Sequence, residues 1–285
     1  MKLVSFQASD GPAVGLLNAN GVIDLSSAAP HLPRNMKQLL VEHGANLTAA
    51  VQKKYDVVSL PLETIDLLPV VPNPNKIICI GRNYAAHARE GGAEPLKYPD
   101  IFMRVSTSLT AHNKSIVRPK CSEALDYEAE LVFIIGVETR HASEEEALGA
   151  IAGYSIFNEG SIRDYQRKAT QWTPGKNFNK TGAFGPALVT PDVLPEGMCS
   201  ARIQTRLNGM SMQDSNTKNL IFPIRRLISI LSEIMTLEPG DVVVSGTPEG
   251  VGHARRPPVW MKAGDYVEVE IEGLGVLCNT IEDEA

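Results

Sequence analysis

Two glutamates separated by a single residue begin the most chemically suggestive stretch of the chain. Glu128 and Glu130 lie in LDYEAELVFIIG, residues 125–136, which starts acidic and continues as an apolar, β-branched run closed by glycine. Such a run predicts a strand, and side chains two apart on a strand share a face. Parallel carboxylates repel each other unless a cation lies between them, and hard divalent ions prefer oxygen ligands. The same spacing also fits a solvated strand face, and Asp126 lies beside the pair.

A histidine and another glutamate occur in GRNYAAHARE, residues 81–90. We expect Asn83 to cap a short helix and the following Gly91–Gly92 to end it. His87 and Glu90 would then share a helix face, and a carboxylate beside an imidazole raises its basicity and fixes its tautomer. The spacing predicts a general base, although an ordinary exposed pair has the same spacing. The two glycines could let the helix open and close as a lid.

Three further polar features follow predicted strands or lie in loops. Glu159 comes directly after the predicted strand 153–158, at a point well placed for a site. Lys176 lies in the loop WTPGKNF and is either a substrate clamp or a solvated lysine. The glycine-rich loop GTPEGVG, residues 246–252, lacks the spacing of a P-loop or a dinucleotide fingerprint. Its backbone N–H groups could still hold a carboxylate.

The elements that must position these residues can be read from apolar periodicity and turn residues. Residues 1 to about 70 predict short strands and an interrupted helix, followed by an extended, proline-rich connector. Ser143 and Glu146 form a capping box that predicts a helix through Ile151. Asn208–Gly209 predicts a hairpin turn, and an apolar stripe over 220–235 predicts a core helix. A closing pair of strands is expected at 266–271 and 275–281.

Composition limits the class of protein. The chain has 285 residues, 43% of them hydrophobic and 21% charged, which fits one large domain or a domain with a small appendage. Its net charge of -6 argues against nucleic acid as the main partner. We find no membrane-spanning run and no signal-peptide pattern. The four cysteines form no CxxC pair, so free thiols in a cytoplasmic protein are the simplest interpretation.

The order of motifs resembles the fumarylacetoacetate hydrolase family from about Lys76 to the C-terminus. The matching segments are GRNYAAHARE, IFMR, LDYEAELVFIIG, GYSIFNEGSIRDYQ, GKNF, TLEPGDVVVSGTPEGVG and KAGDYVEVEIEGLG. The resemblance implies an α+β, mostly β fold. A mixed β-roll catalytic domain would span residues 71–285, after a small N-terminal α+β domain at 1–70. It also implies a homodimer and one divalent metal, Mg²⁺ or Mn²⁺, with Ca²⁺ possible.

The resemblance further implies roles for individual residues. The metal ligands would be Glu128, Glu130 and Glu159; the catalytic residues His87, Glu90 and Lys176; and the substrate-binding residues Arg163, Gln166, Thr247 and Arg104. Glu159 departs from the family, which usually has aspartate there, so the metal or the substrate must shift or ligation becomes bidentate. Arg104 stands where many members have lysine and should be tolerated. Lys180 stands where threonine is common, and is either a substrate contact or a surface change.

The chemistry implied by the resemblance is cleavage of a carbon–carbon bond in a β-dicarbonyl acid, such as an acylpyruvate, a fumarylpyruvate-like compound or a diketo sugar acid. Such reactions belong to the catabolism of aromatic compounds or sugar acids. The metal would stabilise the departing enolate, and His87, oriented by Glu90, would activate water. The same site could instead support an oxaloacetate-type decarboxylase, or a tautomerase or hydratase. A catalytically silent binding protein is the remaining alternative, which the intact set of polar residues disfavours.

Overall fold

The computed structural model describes residues 1–285, which form eighteen strands and seven α-helices. The first nine strands are β1 (Lys2–Ala8), β2 (Gly11–Asn18), β3 (Gly21–Asp24), β4 (Asp66–Leu67), β5 (Ile77–Gly81), β6 (Asp100–Arg104), β7 (Leu109–Thr110), β8 (Ile116–Arg118) and β9 (Leu125–Asp126). The other nine are β10 (Ala129–Ile135), β11 (Ile151–Glu159), β12 (Ser161–Ile162), β13 (Gly182–Val189), β14 (Arg202–Leu207), β15 (Met210–Asn216), β16 (Val242–Val244), β17 (Tyr266–Ile271) and β18 (Gly275–Asp283). The helices are α1 (Leu25–Ala28), α2 (Met36–His43), α3 (Leu47–Val51), α4 (Ala85–Glu90), α5 (Arg163–Gln166), α6 (Thr173–Lys176) and α7 (Ile224–Ile234).

An eleven-stranded mixed sheet forms the centre of the molecule, in the order β3-β2-β1-β13-β11-β10-β16-β5-β6, with β4 beside β1 and β7 beside β13. A five-stranded sheet has the order β15-β14-β17-β18-β8, and β9 pairs with β12. The predicted α+β, mostly β fold is confirmed. No helix has the length and apolar character needed to cross a bilayer.

The central strand β10 is apolar from Leu131 to Ile135, and its packing shows why. Leu131 and Phe133 pack into a core shared with α7 and the five-stranded sheet. Val132 and Ile134 pack on the opposite face, into a core shared with the helical segment 25–51. Because successive side chains on a strand alternate faces, a strand covered on both faces has no polar positions. The polar residues are therefore confined to its beginning, where the carboxylates lie.

The first 70 residues pair directly with the rest of the chain. In β1, Lys2 lies opposite Val189 of β13 and Leu3 lies opposite Leu188, so the N-terminal strands continue the central sheet. Helices α1 to α3 cover one face of that sheet. The division into domains at 1–70 and 71–285 remains a prediction.

Two of the predicted helices differ from the structure. Ser143 and Glu146 form the expected capping box, with Ser143 N 3.0 Å from Glu146 Oε2. Only a short 3₁₀ segment, Ala147–Ala150, follows, because Ile151 already begins β11. The helix expected over 220–235 begins at Ile224, after Pro223. The hairpin at Asn208–Gly209 is present, with positive φ angles of 51° and 79°.

Candidate active site

The pairing of β10 with β11 brings the three predicted metal ligands together. Ala129 lies opposite Asn158, so the start of one antiparallel strand meets the end of the other. The backbone N–H of Glu159 donates to the carbonyl of Glu128 at 2.9 Å. As a result, one carboxylate oxygen from each of Glu128, Glu130 and Glu159 lies within 4.8 Å of the others. All three residues are buried.

Three cationic side chains surround this carboxylate cluster. Arg163 Nη2 donates to Glu128 Oε1 at 2.7 Å, and Lys176 Nζ donates to Glu128 Oε2. Arg104 Nη1 lies 3.3 Å from Glu159 Oε1. Each of these cations is itself buried, so each ion pair depends on partners inside the protein rather than on water.

The cations divide the cluster into carboxylates of different character. Burial alone would raise the pKa of Glu128, but Arg163 and Lys176 outweigh it and hold that pKa well below its usual range. The pKa of Glu130 is raised well above its usual range, first by burial and then by the nearby charges of Glu159 and Glu128.

The cluster fits a hard divalent cation. Glu159 Oε2 is buried and has no hydrogen-bond partner, although Lys176 Nζ lies 3.4 Å away. A buried carboxylate oxygen without a donor is costly unless a ligand supplies the missing charge. Three convergent carboxylates are the oxygen donors that Mg²⁺, Mn²⁺ and Ca²⁺ accept.

The glycine-rich loop holds carboxylates of the chain itself through its backbone. Gly246 N donates to Glu130 Oε2 at 2.5 Å, and Gly250 N donates to Glu90 Oε2 at 2.9 Å. Gly246 has a φ of 101°, and an added Cβ would lie 2.7 Å from the Cβ of Asn83. Glycine is therefore required where this loop crosses the start of α4.

The predicted dyad forms on α4. His87 Nδ1 lies 2.8 Å from Glu90 Oε1, and the histidine is almost completely buried. The expectation that Asn83 caps this helix is wrong, because the N-cap position is Tyr84 and lacks a side-chain cap. Asn83 is instead buried, donating to Ser245 O at 2.8 Å and accepting from Phe222 N at 2.7 Å. It anchors the chain just before the helix.

A cavity of about 210 Å³ opens onto the carboxylate cluster. Its wall contains all three glutamates and the predicted residues His87, Arg163, Gln166, Lys176 and Thr247. Arg163 Nη1 donates to Gln166 Oε1 at 2.9 Å, and Gln213 Nε2 donates to Thr247 Oγ1 at 2.9 Å. These bonds fix three of the predicted substrate-binding side chains, Arg163, Gln166 and Thr247.

Besides Glu90, which contacts His87, two residues singled out by the resemblance are absent from the cavity wall. Arg104 is behind Glu159, where it also donates to Thr181 Oγ1 at 2.7 Å and Ser108 Oγ at 3.1 Å. It does not line the cavity, so the geometry gives it a supporting position. Lys180 is exposed, has a positive φ of 54° and is also absent from the wall. Its position is that of a surface change.

Sequence reasoning missed several residues of the wall, including Arg82, Arg167, Trp172 and His253. Trp172 packs edge-on against Phe102, with ring centroids 5.5 Å apart. The sequence does contain one signal for His253, which immediately follows the loop that carries Thr247. In the sequence Asp126 stands out only as a neighbour of the glutamates, yet it contacts both Arg163 and His253.

Comparison with known proteins agrees with this geometry. The family model described as the C-terminal domain of fumarylacetoacetate hydrolase matches residues 76–282. The chain is 40% identical over 289 aligned positions to "Oxaloacetate tautomerase fahd2, mitochondrial" of Xenopus laevis, covering 99% of this chain and 90% of the relative. The chain belongs to the fumarylacetoacetate hydrolase family.

Solved structures of the family extend over the whole chain. A fumarylacetoacetate hydrolase from Exiguobacterium antarcticum is 31% identical with a TM-score of 0.83, and each chain is fully covered. A 5-carboxymethyl-2-hydroxymuconate delta-isomerase from Mycobacterium smegmatis is 30% identical with a TM-score of 0.80, again with full coverage of both. The names of these relatives span tautomerase, hydrolase and isomerase, and together they support an enzyme that acts on keto acids.

Proposed function

We propose that this protein is a divalent-metal-dependent tautomerase that interconverts the enol and keto forms of a short α-keto dicarboxylic acid such as oxaloacetate. The observation that carries the proposal is the cavity. It is small, it opens onto the carboxylate cluster, and its wall carries Arg82, Arg163, Arg167 and Lys176. The three glutamates of the wall offset part of this positive charge, and a divalent ion bound to them would make the wall clearly cationic. A small cavity of that charge favours a compact dianion over a substrate with a long apolar chain. The similarity to the Xenopus laevis oxaloacetate tautomerase points to the same reaction.

In this proposal Glu128, Glu130 and Glu159 hold one divalent ion, Mg²⁺ or Mn²⁺. When bound, the ion supplies Lewis acidity toward the oxygen atoms of the α-keto acid. Lys176 adds a positive charge at the same end of the cavity, and Arg163 with Gln166 and Thr247 orients the substrate carboxylates.

His87 is the proton-transfer residue of the proposed reaction. Glu90 engages Nδ1 at 2.8 Å and thereby leaves Nε2 free for the substrate. From the keto form, Nε2 removes a proton from the carbon beside the keto group, and the reverse step returns it. A positioned general base of this kind contributes roughly 10²–10⁴ in rate.

Hydrolysis of a carbon–carbon bond is the second candidate function. The His87–Glu90 pair favours it, because the same imidazole could take a proton from water and direct the hydroxide to a carbonyl. The similarity to the Exiguobacterium antarcticum fumarylacetoacetate hydrolase also supports this alternative. Decarboxylation of oxaloacetate at the same site would need no activated water. We therefore expect His87→Ala to abolish hydrolysis and to leave any decarboxylation intact.

The experiment follows the ultraviolet absorbance of enol-oxaloacetate after addition of purified protein, with Mg²⁺ or with EDTA. Nuclear magnetic resonance of the products separates keto-oxaloacetate from pyruvate, the decarboxylation product, and from oxalate and acetate, the hydrolysis products. We expect Mg²⁺-dependent loss of enol with only the keto form produced. Turnover should disappear in Glu128→Gln and persist in Glu145→Gln, an exposed glutamate outside the cavity. Formation of oxalate and acetate, or enol loss unaffected by protein, would refute the tautomerase proposal.

We also propose that the chain forms a homodimer, as the family resemblance implies. Sedimentation equilibrium of the purified chain tests it, since a mass near twice 30.9 kDa is expected. A concentration-independent mass of one chain would contradict it.

A further inference from the structure

The cavity contains a second imidazole–carboxylate pair, on the side formed by the glycine-rich loop. His253 Nδ1 lies 3.2 Å from Asp126 Oδ2. The histidine side chain is 13% exposed and the aspartate is fully buried. His253 and His87 both line the cavity that opens onto the carboxylate cluster. Nothing in the established family relationship requires this second pair.

The contacts of Asp126 determine which nitrogen of His253 is free. Asp126 accepts from Arg163 Nε at 2.8 Å and from Gly252 N at 2.7 Å. Tyr127 N and the backbone N of His253 also donate to Asp126, at 2.9 Å and 3.1 Å, so the carboxylate acts as an acceptor toward every neighbour. His253 Nδ1 must therefore carry the hydrogen. Nε2 has no hydrogen-bond partner in the protein and is left for a ligand in the cavity.

The two imidazoles are thus oriented in the same way. In each, a carboxylate engages Nδ1, Glu90 for His87 and Asp126 for His253. A histidine whose Nδ1–H is held by an ionised carboxylate presents Nε2 as a proton acceptor, and the carboxylate stabilises the imidazolium that forms. The cavity wall consequently contains two imidazoles, those of His87 and His253, whose Nε2 atoms are available to exchange protons.

The imidazole of His253 is not needed to satisfy Asp126. The aspartate also accepts from Tyr127 N at 2.9 Å and from the backbone N of His253 at 3.1 Å. With Arg163 and Gly252 they make four donors, so the Nδ1–H of His253 is an additional contact that shares Oδ2 with Arg163 Nε and the backbone N of His253. A purely structural role therefore explains the backbone contacts of His253 and leaves its side chain unexplained.

Enol–keto conversion needs proton transfer at two separate atoms of the substrate, an oxygen and the carbon next to it. We propose that His253 is a second catalytic residue, which exchanges a proton with the oxygen while His87 serves the carbon. The inference rests on the proposed tautomerase function. It predicts a reaction with two proton-transfer residues where the family resemblance predicts one.

The step balances without any further reactant. Starting from the enol, one neutral imidazole takes the hydroxyl proton, and the O–H electron pair becomes the second bond of the carbonyl. The electron pair of the carbon–carbon double bond takes a proton from the other imidazole, which starts protonated, and a C–H bond forms. One imidazole gains a proton and the other loses one, so proton exchange with water restores the starting state.

The test compares His253→Gln and His253→Ala in the enol-oxaloacetate assay, with His31→Gln as the control, since His31 is exposed and outside the cavity. Glutamine retains a hydrogen-bonding side chain and cannot exchange protons. We expect both His253 variants to lose about 10²-fold or more in kcat, with KM changed less than about threefold. Added imidazole should restore part of the activity of His253→Ala. Circular dichroism and thermal unfolding confirm that the variants fold.

The outcomes separate this inference from the function on which it rests. If the wild-type protein converts the enol and His253→Gln keeps its kcat, the inference is overturned and the tautomerase proposal stands. An increase in KM alone, shared by both variants, would assign His253 to substrate binding and also overturn the inference. A wild-type protein without enol turnover would overturn both proposals.

Discussion

Replacement of Arg104 by methionine tests whether the carboxylate cluster depends on buried counter-charges. Arg104 and Glu159 have side chains that are 0% and 1% exposed, and their nearest charged atoms are 3.3 Å apart. Removing one partner of a buried ion pair leaves an uncompensated charge and typically costs about 3–5 kcal/mol. Arg104→Met also leaves Thr181 Oγ1 and Gly160 O without this donor. Because Lys176 Nζ still lies 3.4 Å from Glu159 Oε2, we expect a loss within that range.

A matched exposed pair provides the control. Arg202 and Asp214 are 2.7 Å apart, closer than Arg104 and Glu159, but their side chains are 60% and 46% exposed. Exposed pairs contribute only about 0–1 kcal/mol, so Arg202→Met should change little. If proximity rather than burial determined the effect, the order of the two variants would be reversed.

The assay is thermal unfolding in EDTA, followed by circular dichroism. At about 2–4 °C per kcal/mol, Arg104→Met should unfold roughly 6–20 °C below wild type, whereas Arg202→Met should unfold within about 4 °C of it. Mg²⁺ should recover part of the loss in Arg104→Met, because a divalent cation replaces positive charge in the cluster. Equal shifts for the two variants would refute the argument from burial.

Three further predictions follow from individual contacts. Glu128→Gln should abolish stoichiometric Mg²⁺ binding in isothermal titration calorimetry. A variant that still binds one ion would contradict the assignment of Glu128 as a metal ligand. Gly246→Ala should cost about 1–3 kcal/mol in chemical denaturation, because alanine is strained at a φ of 101°; an unchanged midpoint would contradict this. Burial lowers the pKa of His112 below its ordinary value of 6.5. The folded state therefore binds fewer protons, and stability is lost as pH falls below about 6.5. His112→Asn should show a smaller loss between pH 7.5 and 5.5 than wild type, and identical losses would exclude this role.

The sequence by itself determined most of the fold class and the residue types of the site. The apolar run after Glu130 predicts a strand, and Ala129–Ile135 is a strand with every residue buried. His87 and Glu90 were expected to share a helix face from a spacing of three residues alone, and their side chains meet at 2.8 Å. These inferences succeed because they depend on local geometry, which is the same in every helix and strand.

The tertiary structure alone decided which charges meet. Glu128 and Glu130 have equivalent sequence contexts, yet the pKa of the first is lowered and that of the second raised. The difference arises because Arg163 and Lys176, which come from distant segments, form ion pairs with Glu128 and none with Glu130. Strand pairing, not local pattern, places Glu159 beside them.

The helix ends and the second imidazole also depended on long-range contacts. Asn83 has the residue type of a helix cap, but its amide instead bonds to Ser245 and Phe222, more than 130 residues later in the chain. His253 meets Asp126 across a separation of 127 residues. Local sequence patterns reflect local hydrogen bonding and side-chain direction. A buried charged site depends instead on tertiary packing, which brings polar groups from distant segments together and removes them from water. For that reason the sequence supplied the glutamates and His87, and only the folded chain showed that His253 shares their cavity.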